Sequence, residues 1–282
     1  MTLTRLVYAK KISKKLKRKV WLKMESENFS GSHKDRESKE IIKFALANKM
    51  KSVGCASTGN LAVSLAYFAK VNNLNCYVWL AKKDINFLNL HLLKSLGAKI
   101  KIINISLEKL YTISENFMKK NRIVSANPGS NDIKIKANSN IIKEIYSTTN
   151  KIKNFITCVN NGSHFLGLYR ELKKGHNIFG ITSSSKFASS INPKTKFEKN
   201  FYDKNTTQFT KMIDTDERDI LNGYHILKLE NIFAEPSSLA TVGALQKKEL
   251  KGINNICCVI TGSANRHLTS IKDLLKKNNI RN

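Results

Sequence analysis

The sequence predicts an α/β fold of doubly wound, parallel sheets. Short apolar runs of strand character recur along the chain, and most are followed by a segment of helical periodicity. The length of 282 residues suits one large α/β domain or about two ordinary ones. Hydrophobic residues make up 41% and charged residues 25%, a balance that supports a sizeable core and argues against disorder.

In chain order, the first expected strand is Val20–Met24, followed by a helix over Glu37–Asn48. Ser52–Ala56 is the second strand, and Leu61–Asn72 carries the next helical pattern. Asn75–Leu80 leads into a helix at Ile85–Leu96, which Gly97 would close as a C-cap before a strand at Lys99–Ile103. Asn154–Val159 precedes a helix at Phe165–Lys174, and Asn177–Thr182 is a further strand. Residues 183–211 are polar and weakly patterned, which reads as a connector. Ile256–Ile260 and Leu268–Lys277 supply the last strand and helix. No internal repeat is visible.

Several function classes recede on composition. No apolar run is long enough to span a bilayer, and the basic residues 1–20 lack the apolar core of a signal peptide. A soluble, cytoplasmic protein is expected. Cys55, Cys76, Cys158, Cys257 and Cys258 lie mostly in apolar runs without metal-ligand spacing, the usage of small buried hydrophobes in a reducing compartment. No metal site is expected. The formal charge is +28, yet lysine is spread over nearly every segment instead of being gathered into a reading module. That pattern gives non-specific attraction at most, so no specific nucleic-acid partner and no membrane partner are expected.

Three strand–loop–helix junctions carry polar residues suited to a ligand. Ser57-Thr58-Gly59-Asn60 opens one helix, where free amides and the helix dipole favour an anion such as a carboxylate. Asn160-Asn161-Gly162-Ser163-His164 opens another and could cradle a phosphate. Thr261-Gly262-Ser263-Ala264-Asn265 precedes the last helix. In open α/β sheets the ligand lies beyond the carboxyl ends of the strands, where all three loops fall. Singly, such loops are more often plain N-caps or turns than ligand loops. Lys34 stands at a fourth junction, after a tight Gly31-Ser32-His33 turn, where an amine held on rigid supports can form a Schiff base. Lys34-Asp35-Arg36 alone reads as a solvated, mutually screened face. The order and spacing of the four loops carry the specificity.

Taken together, these motifs resemble the fold-type II pyridoxal-phosphate-dependent enzymes (the tryptophan synthase beta-like superfamily), and threonine synthase most closely. Gly31-Ser32-His33-Lys34-Asp35-Arg36 is similar to the family's lysine motif, and Ser57-Thr58-Gly59-Asn60 matches its Ser-Thr-Gly-Asn loop. Ala234-Glu235-Pro236-Ser237-Ser238 resembles its Glu-Pro helix start, and Thr261-Gly262-Ser263 its closing loop. The resemblance spans about residues 4 to 268. It implies pyridoxal 5'-phosphate as cofactor and a lyase or synthase of amino-acid biosynthesis acting on a small amino-acid substrate. The threonine synthase reaction turns O-phosphohomoserine and water into threonine and phosphate. Alternatives are a serine/threonine dehydratase, a cysteine-synthase-like β-replacement, or a diverged homologue without catalysis.

By position, the resemblance gives Lys34 the cofactor Schiff base and the catalytic proton transfers, and Asn60 the cofactor ring hydroxyl. Ser57, Thr58 and Gly59 would hold the substrate carboxylate. Asn161, Gly162 and Ser163 would lie against the cofactor phosphate, and Thr261 against the pyridine nitrogen. Glu235 would sit near the cofactor face. It further implies a homodimer and two doubly wound parallel-sheet domains, a larger one of 1–38 plus 130–282 and a smaller inserted one of 39–129. The chain departs from the family pattern at His33, Asn160, Ser163 and His164, and the family's Glu-Gly-x-Lys-Thr segment is replaced by Lys136-Ala137-Asn138-Ser139-Asn140. Lys134 and Lys136 are candidate substitutes for the residues binding a substrate phosphate.

Overall fold

The computed structural model describes residues 3–127, 132–192 and 211–280. Strand β1 (Leu6–Tyr8), helix α1 (Lys10–Leu16) and β2 (Val20–Lys23) come first. Then follow α2 (Lys34–Ala47), β3 (Ser52–Ala56), α3 (Asn60–Val71), β4 (Asn75–Ala81), α4 (Phe87–Ser95) and β5 (Lys99–Ile103). Next are α5 (Leu107–Lys120), β6 (Val124–Ser125), α6 (Asp132–Thr148), β7 (Asn154–Cys158), α7 (Ser163–Arg170) and β8 (Asn177–Ser183). The chain closes with β9 (Lys211–Thr215), α8 (Glu217–Lys228), α9 (Pro236–Gly243), β10 (Ile256–Val259) and α10 (Leu268–Lys277).

Two sheets result. The larger runs β1-β2-β10-β7-β8-β9 and is parallel except for the edge strand β1; the smaller runs β5-β4-β3-β6 and is parallel throughout. Parallel strands covered on both faces need apolar residues at consecutive positions. β10 shows how this works: Ile256 and Cys258 face the core shared with α8, α9 and α10, while Cys257 and Val259 face the one shared with α6 and α7. In the smaller sheet Val53, Cys55 and Val78 pack with α2 and α3, and Ala56 and Trp79 pack with α5 on the other side. The chain therefore has two parallel-sheet domains, each wound on both faces, as the resemblance implies.

All seven expected strands form, with ends within a residue or so of the sequence reading. Gly97 takes φ +76° just beyond α4, and its own amide and that of Ala98 return to the Lys94 and Leu93 carbonyls as a C-cap requires. α2 begins at Lys34 instead of Glu37, so the lysine belongs to the helix's first turn. α7 likewise starts at Ser163. α1, α5, α6 and α8 go beyond the sequence reading. The stretch read as a connector contains the end of β8, a 3-10 turn at Lys186–Ile191 and the first residue of β9, while 193–210 lie outside the described residues. The five cysteines are buried free thiols; desolvation pushes Cys55, Cys158 and Cys257 up to about 12, which leaves them un-ionised packing groups. Among the described residues no helix is long and apolar enough to cross a membrane.

Candidate active site

Lys34 is positioned by its neighbours on all sides. Gly31 takes φ +79° and presses so closely on the loop after β10 that a Cβ there would lie 2.9 Å from Ser263 Oγ. The Ser263 amide donates to the Gly31 carbonyl, and the His33 amide donates to the Thr261 carbonyl, both at 2.9 Å. The turn is thus stitched to the large sheet. Asp35, fully buried, accepts from the Ser30 amide at 2.8 Å and from Ser64 Oγ of α3 at 2.6 Å. Arg36 makes paired contacts with Glu25 (2.7 and 2.7 Å) and with Glu144 of α6 (2.7 and 2.8 Å). Lys23 donates to the same Glu144 at 2.6 Å. These contacts fix the first turn of α2 against β2, α3 and α6.

The Lys34 side chain is 18% exposed and donates from Nζ to Glu37 Oε1 at 2.8 Å. Glu37 is completely buried and also takes a hydrogen bond from Asn138 Nδ2 at 2.9 Å, while the buried Lys134 Nζ lies 3.5 Å from its other oxygen. Burial alone would raise the Glu37 carboxyl, but the charges of Lys34 and Lys134 outweigh it and hold the group well below the usual carboxylate range. Burial lowers Lys134, with Glu37 opposing the shift. Asn138 Oδ1 meets His164 Nδ1 at 3.0 Å, and His164 Nε2 meets Thr157 Oγ1 at 2.9 Å. Because the Asn138 oxygen can only accept, the His164 proton sits on Nδ1 and Thr157 donates to Nε2. His33 packs against His164 in a tilted arrangement, 4.4 Å between ring centroids, and donates from Nδ1 to the Thr261 carbonyl at 3.2 Å. Desolvation, with the charge of Lys34, keeps both imidazoles below their ordinary values and hence neutral near pH 7.

The opposite wall is built around Glu235, just before α9. Its Oε1 accepts from the Thr261 hydroxyl at 2.8 Å and its Oε2 from Asn60 Nδ2 at 2.7 Å. Burial raises this carboxyl, but His267, 3.5 Å away, and the Thr261 hydroxyl bring it down to about 2. Since Thr261 gives its proton to Glu235, Ser238 Oγ donates to Thr261 Oγ1 at 3.0 Å. The Asn60 oxygen accepts from Arg266 Nη2 at 2.7 Å, and Arg266 also donates to the Ser30 carbonyl. Both ends of the Asn60 amide are therefore occupied by residues that follow β9.

Between these walls lies a cavity of about 200 Å³. Lys34, Ser57, Gly59, Asn60, Asn161 and Gly162 line it. Of the remaining sequence-predicted residues, Thr261 and Ser163 are buried just behind the surface, and Thr58 turns its carbonyl to Asn89 Nδ2 at 2.8 Å. Asn161 Oδ1 accepts from the amide and hydroxyl of Ser163, closing the turn that starts α7. Lys134 is buried against Glu37 and Lys136 is exposed on α6, so neither reaches the cavity lining. Sequence reasoning did not find Glu37, Arg266 and His267. Glu37 alone has a local cue, three residues after Lys34 on one helix face.

The amine of Lys34 lines this cavity where loops from the two parallel sheets converge. Residues 1–262 match the family described as "Pyridoxal-phosphate dependent enzyme", and the chain belongs to that family. It is similar to the threonine synthase of Halalkalibacterium halodurans, 24% identical over 290 residues covering 92% of this chain and 81% of the relative. Among solved structures it resembles serine racemase from Dictyostelium discoideum (TM-score 0.79, 19% identity, 93% of this chain and 92% of that one). The processed threonine deaminase isoform 2 of Solanum lycopersicum is similar at TM-score 0.79 and 17% identity, covering 97% and 83%. Family membership implies pyridoxal 5'-phosphate, and the residues present fit it. An amine lines the cavity, and a Cβ at Gly59 would meet no protein atom within 4 Å, so a ligand can approach that backbone closely. Gly162, at φ +86°, is the N-cap of α7, whose amino end favours an anionic group.

Proposed function

We propose that this protein is a threonine-synthase-like lyase that converts O-phosphohomoserine and water to threonine and phosphate. The carrying observation is Lys34: its amine lines a cavity closed by the helix starts at Gly59 and Gly162, in a chain similar over 92% of its length to a threonine synthase. When bound, the cofactor supplies an electron-accepting ring that stabilises charge developing on the substrate's α-carbon.

The chain's own residues would do the rest. Lys34 anchors the cofactor and, once released, moves protons to and from substrate carbon as base and then acid. Ser57, Thr58 and Gly59 hold the substrate carboxylate at the start of α3, where amides and dipole favour it. Asn161, Gly162 and Ser163 hold the cofactor phosphate. Thr261 supports the pyridine nitrogen. Asn60 reaches the ring hydroxyl after yielding its contacts with Glu235 and Arg266. We assign the larger domain to 1–38 with 130–282 and the smaller to 39–129. Closure of the smaller over the larger would exclude water from the cavity. The enzyme would work in the cytoplasm as a homodimer, and its five free thiols support a reducing compartment.

The test is spectroscopic first. Purified protein mixed with pyridoxal phosphate should develop a Schiff-base absorption band that Lys34→Ala abolishes. Phosphate release from O-phosphohomoserine should exceed keto-acid release from serine or threonine and turnover of O-acetylserine. A protein that binds cofactor but prefers serine or O-acetylserine overturns the substrate assignment. One that shows no band overturns the reading altogether.

A further inference from the structure

Glu37 is the unusual element beside the lysine. A buried carboxylate must be paired and its lone pairs satisfied. One of its oxygens is saturated, by Lys34 Nζ at 2.8 Å and Asn138 Nδ2 at 2.9 Å. The other, Oε2, is buried and is ion-paired with Lys134 Nζ at 3.5 Å, a longer contact than that of Lys34. Lys134 is itself held by the carbonyls of Ala126 (3.1 Å) and Asn127 (3.4 Å), at the end of β6. One carboxylate is therefore shared by two lysine amines, closely by one and more loosely by the other.

We propose that Glu37 is the positioning residue of Lys34, the counter-charge that holds its nitrogen at the cavity and that Lys134 takes up in part as Lys34 engages the cofactor. The inference rests on Lys34 being the cofactor-bearing lysine. The groups that face the Lys34 nitrogen are Glu37 on the same helix, Lys134 on α6, His33 in the preceding turn, His164 on α7 and Cys158 at the end of β7, with Glu235 beyond His33. The two imidazoles are neutral and the thiol is un-ionised, so Glu37 is the anion in contact with the amine. Were this nitrogen joined to the cofactor, Glu37 would favour its protonated form, as an opposite charge in contact does. The looser ion pair at its second oxygen gives the carboxylate somewhere to turn as that nitrogen moves, and the charge of Lys134 helps to keep it ionised.

The experiment is a pH titration of the absorption band formed with pyridoxal phosphate, read without substrate. In Glu37→Gln the midpoint between the protonated and unprotonated band should move down by about one pH unit or more, a tenfold weaker hold on the proton. Lys134→Met removes the competing cation and should move the midpoint up. The double variant Glu37→Gln/Lys134→Met, which discards the charges together and so guards against a failure of the single variant to fold, should again lie below wild type. A merely structural Glu37 would lower thermal stability and leave the midpoint alone. An unchanged midpoint in Glu37→Gln and in the double variant overturns this role while leaving Lys34 as cofactor lysine. Absence of the band in wild type overturns both.

Discussion

Lys34, Asp35 and Arg36 are consecutive in the chain but leave the start of α2 in three directions. Lys34 turns to the cavity, Asp35 to Ser30 and Ser64, and Arg36 to a buried cluster with Lys23, Glu25 and Glu144. From sequence alone the triplet reads as a solvated face, because the partners of Arg36 lie 11 and 108 positions away and leave no local trace. The Lys23–Arg36–Glu25–Glu144 cluster holds two positive and two negative charges, all nine-tenths buried or more, so it is balanced only while complete. Glu144→Gln leaves one positive charge uncompensated and should cost about 3–5 kcal/mol in urea unfolding. Lys43→Ala, which breaks the exposed pair with Glu40, should cost no more than about 1 kcal/mol. If the two variants proved equally mild, the cluster would not be what anchors α2.

At the scale of elements, strands were easier to read than helices. Strands buried on both faces leave unbroken apolar runs such as Ile256-Cys257-Cys258-Val259. α6 instead mixes Asn, Ser and isoleucine pairs, whose intrinsic preference for a helix is weak, and its length comes from packing against α7 and α2. α8 is obscured by Gly223 in its middle, a residue that ordinarily disfavours a helix. The reason lies in the partner helix. A Cβ at Gly223 would fall 1.9 Å from the Leu239 carbonyl oxygen of α9, and one at Gly243 would fall 1.9 Å from the Asp219 oxygen of α8. The two backbones are in contact, so glycine is required at each crossing point. Gly223→Ala should therefore destabilise by about 1–3 kcal/mol, despite alanine's better helix propensity. Gain of stability in a chemical melt would show that the helices have room to separate.

For the molecule as a whole, the loops of the candidate site could be recognised because parallel strands deliver their carboxyl ends to one edge, where Ser57–Asn60, Asn161–Ser163 and Thr261 converge. The interlocking of the two halves through Glu235, Asn60 and Arg266 could not, since it joins side chains from distant segments. That interlocking gives the fold a definite response to acid. Glu25, Glu37 and Glu235 are buried and held ionised below their ordinary values; in each case burial opposes the shift, and basic or hydrogen-bonding neighbours overcome it. A carboxyl with a lowered folded value contributes stability that is complete above its unfolded value, near 4.5, and is lost as pH falls toward the folded one. His33 and His164 act earlier in the same direction. They are buried neutral, so below about pH 6.5 the unfolded chain binds protons that the folded chain refuses. The formal charge of +28 adds self-repulsion as carboxylates are neutralised. The melting temperature of the cofactor-free protein should therefore hold steady from about pH 8 to 7, decline below about 6.5, and fall more steeply below about 4.5. Calorimetric scans across that range at fixed ionic strength test it, and a melting temperature that stays level from pH 7 to 4 would mean that these five groups are solvated in the native protein.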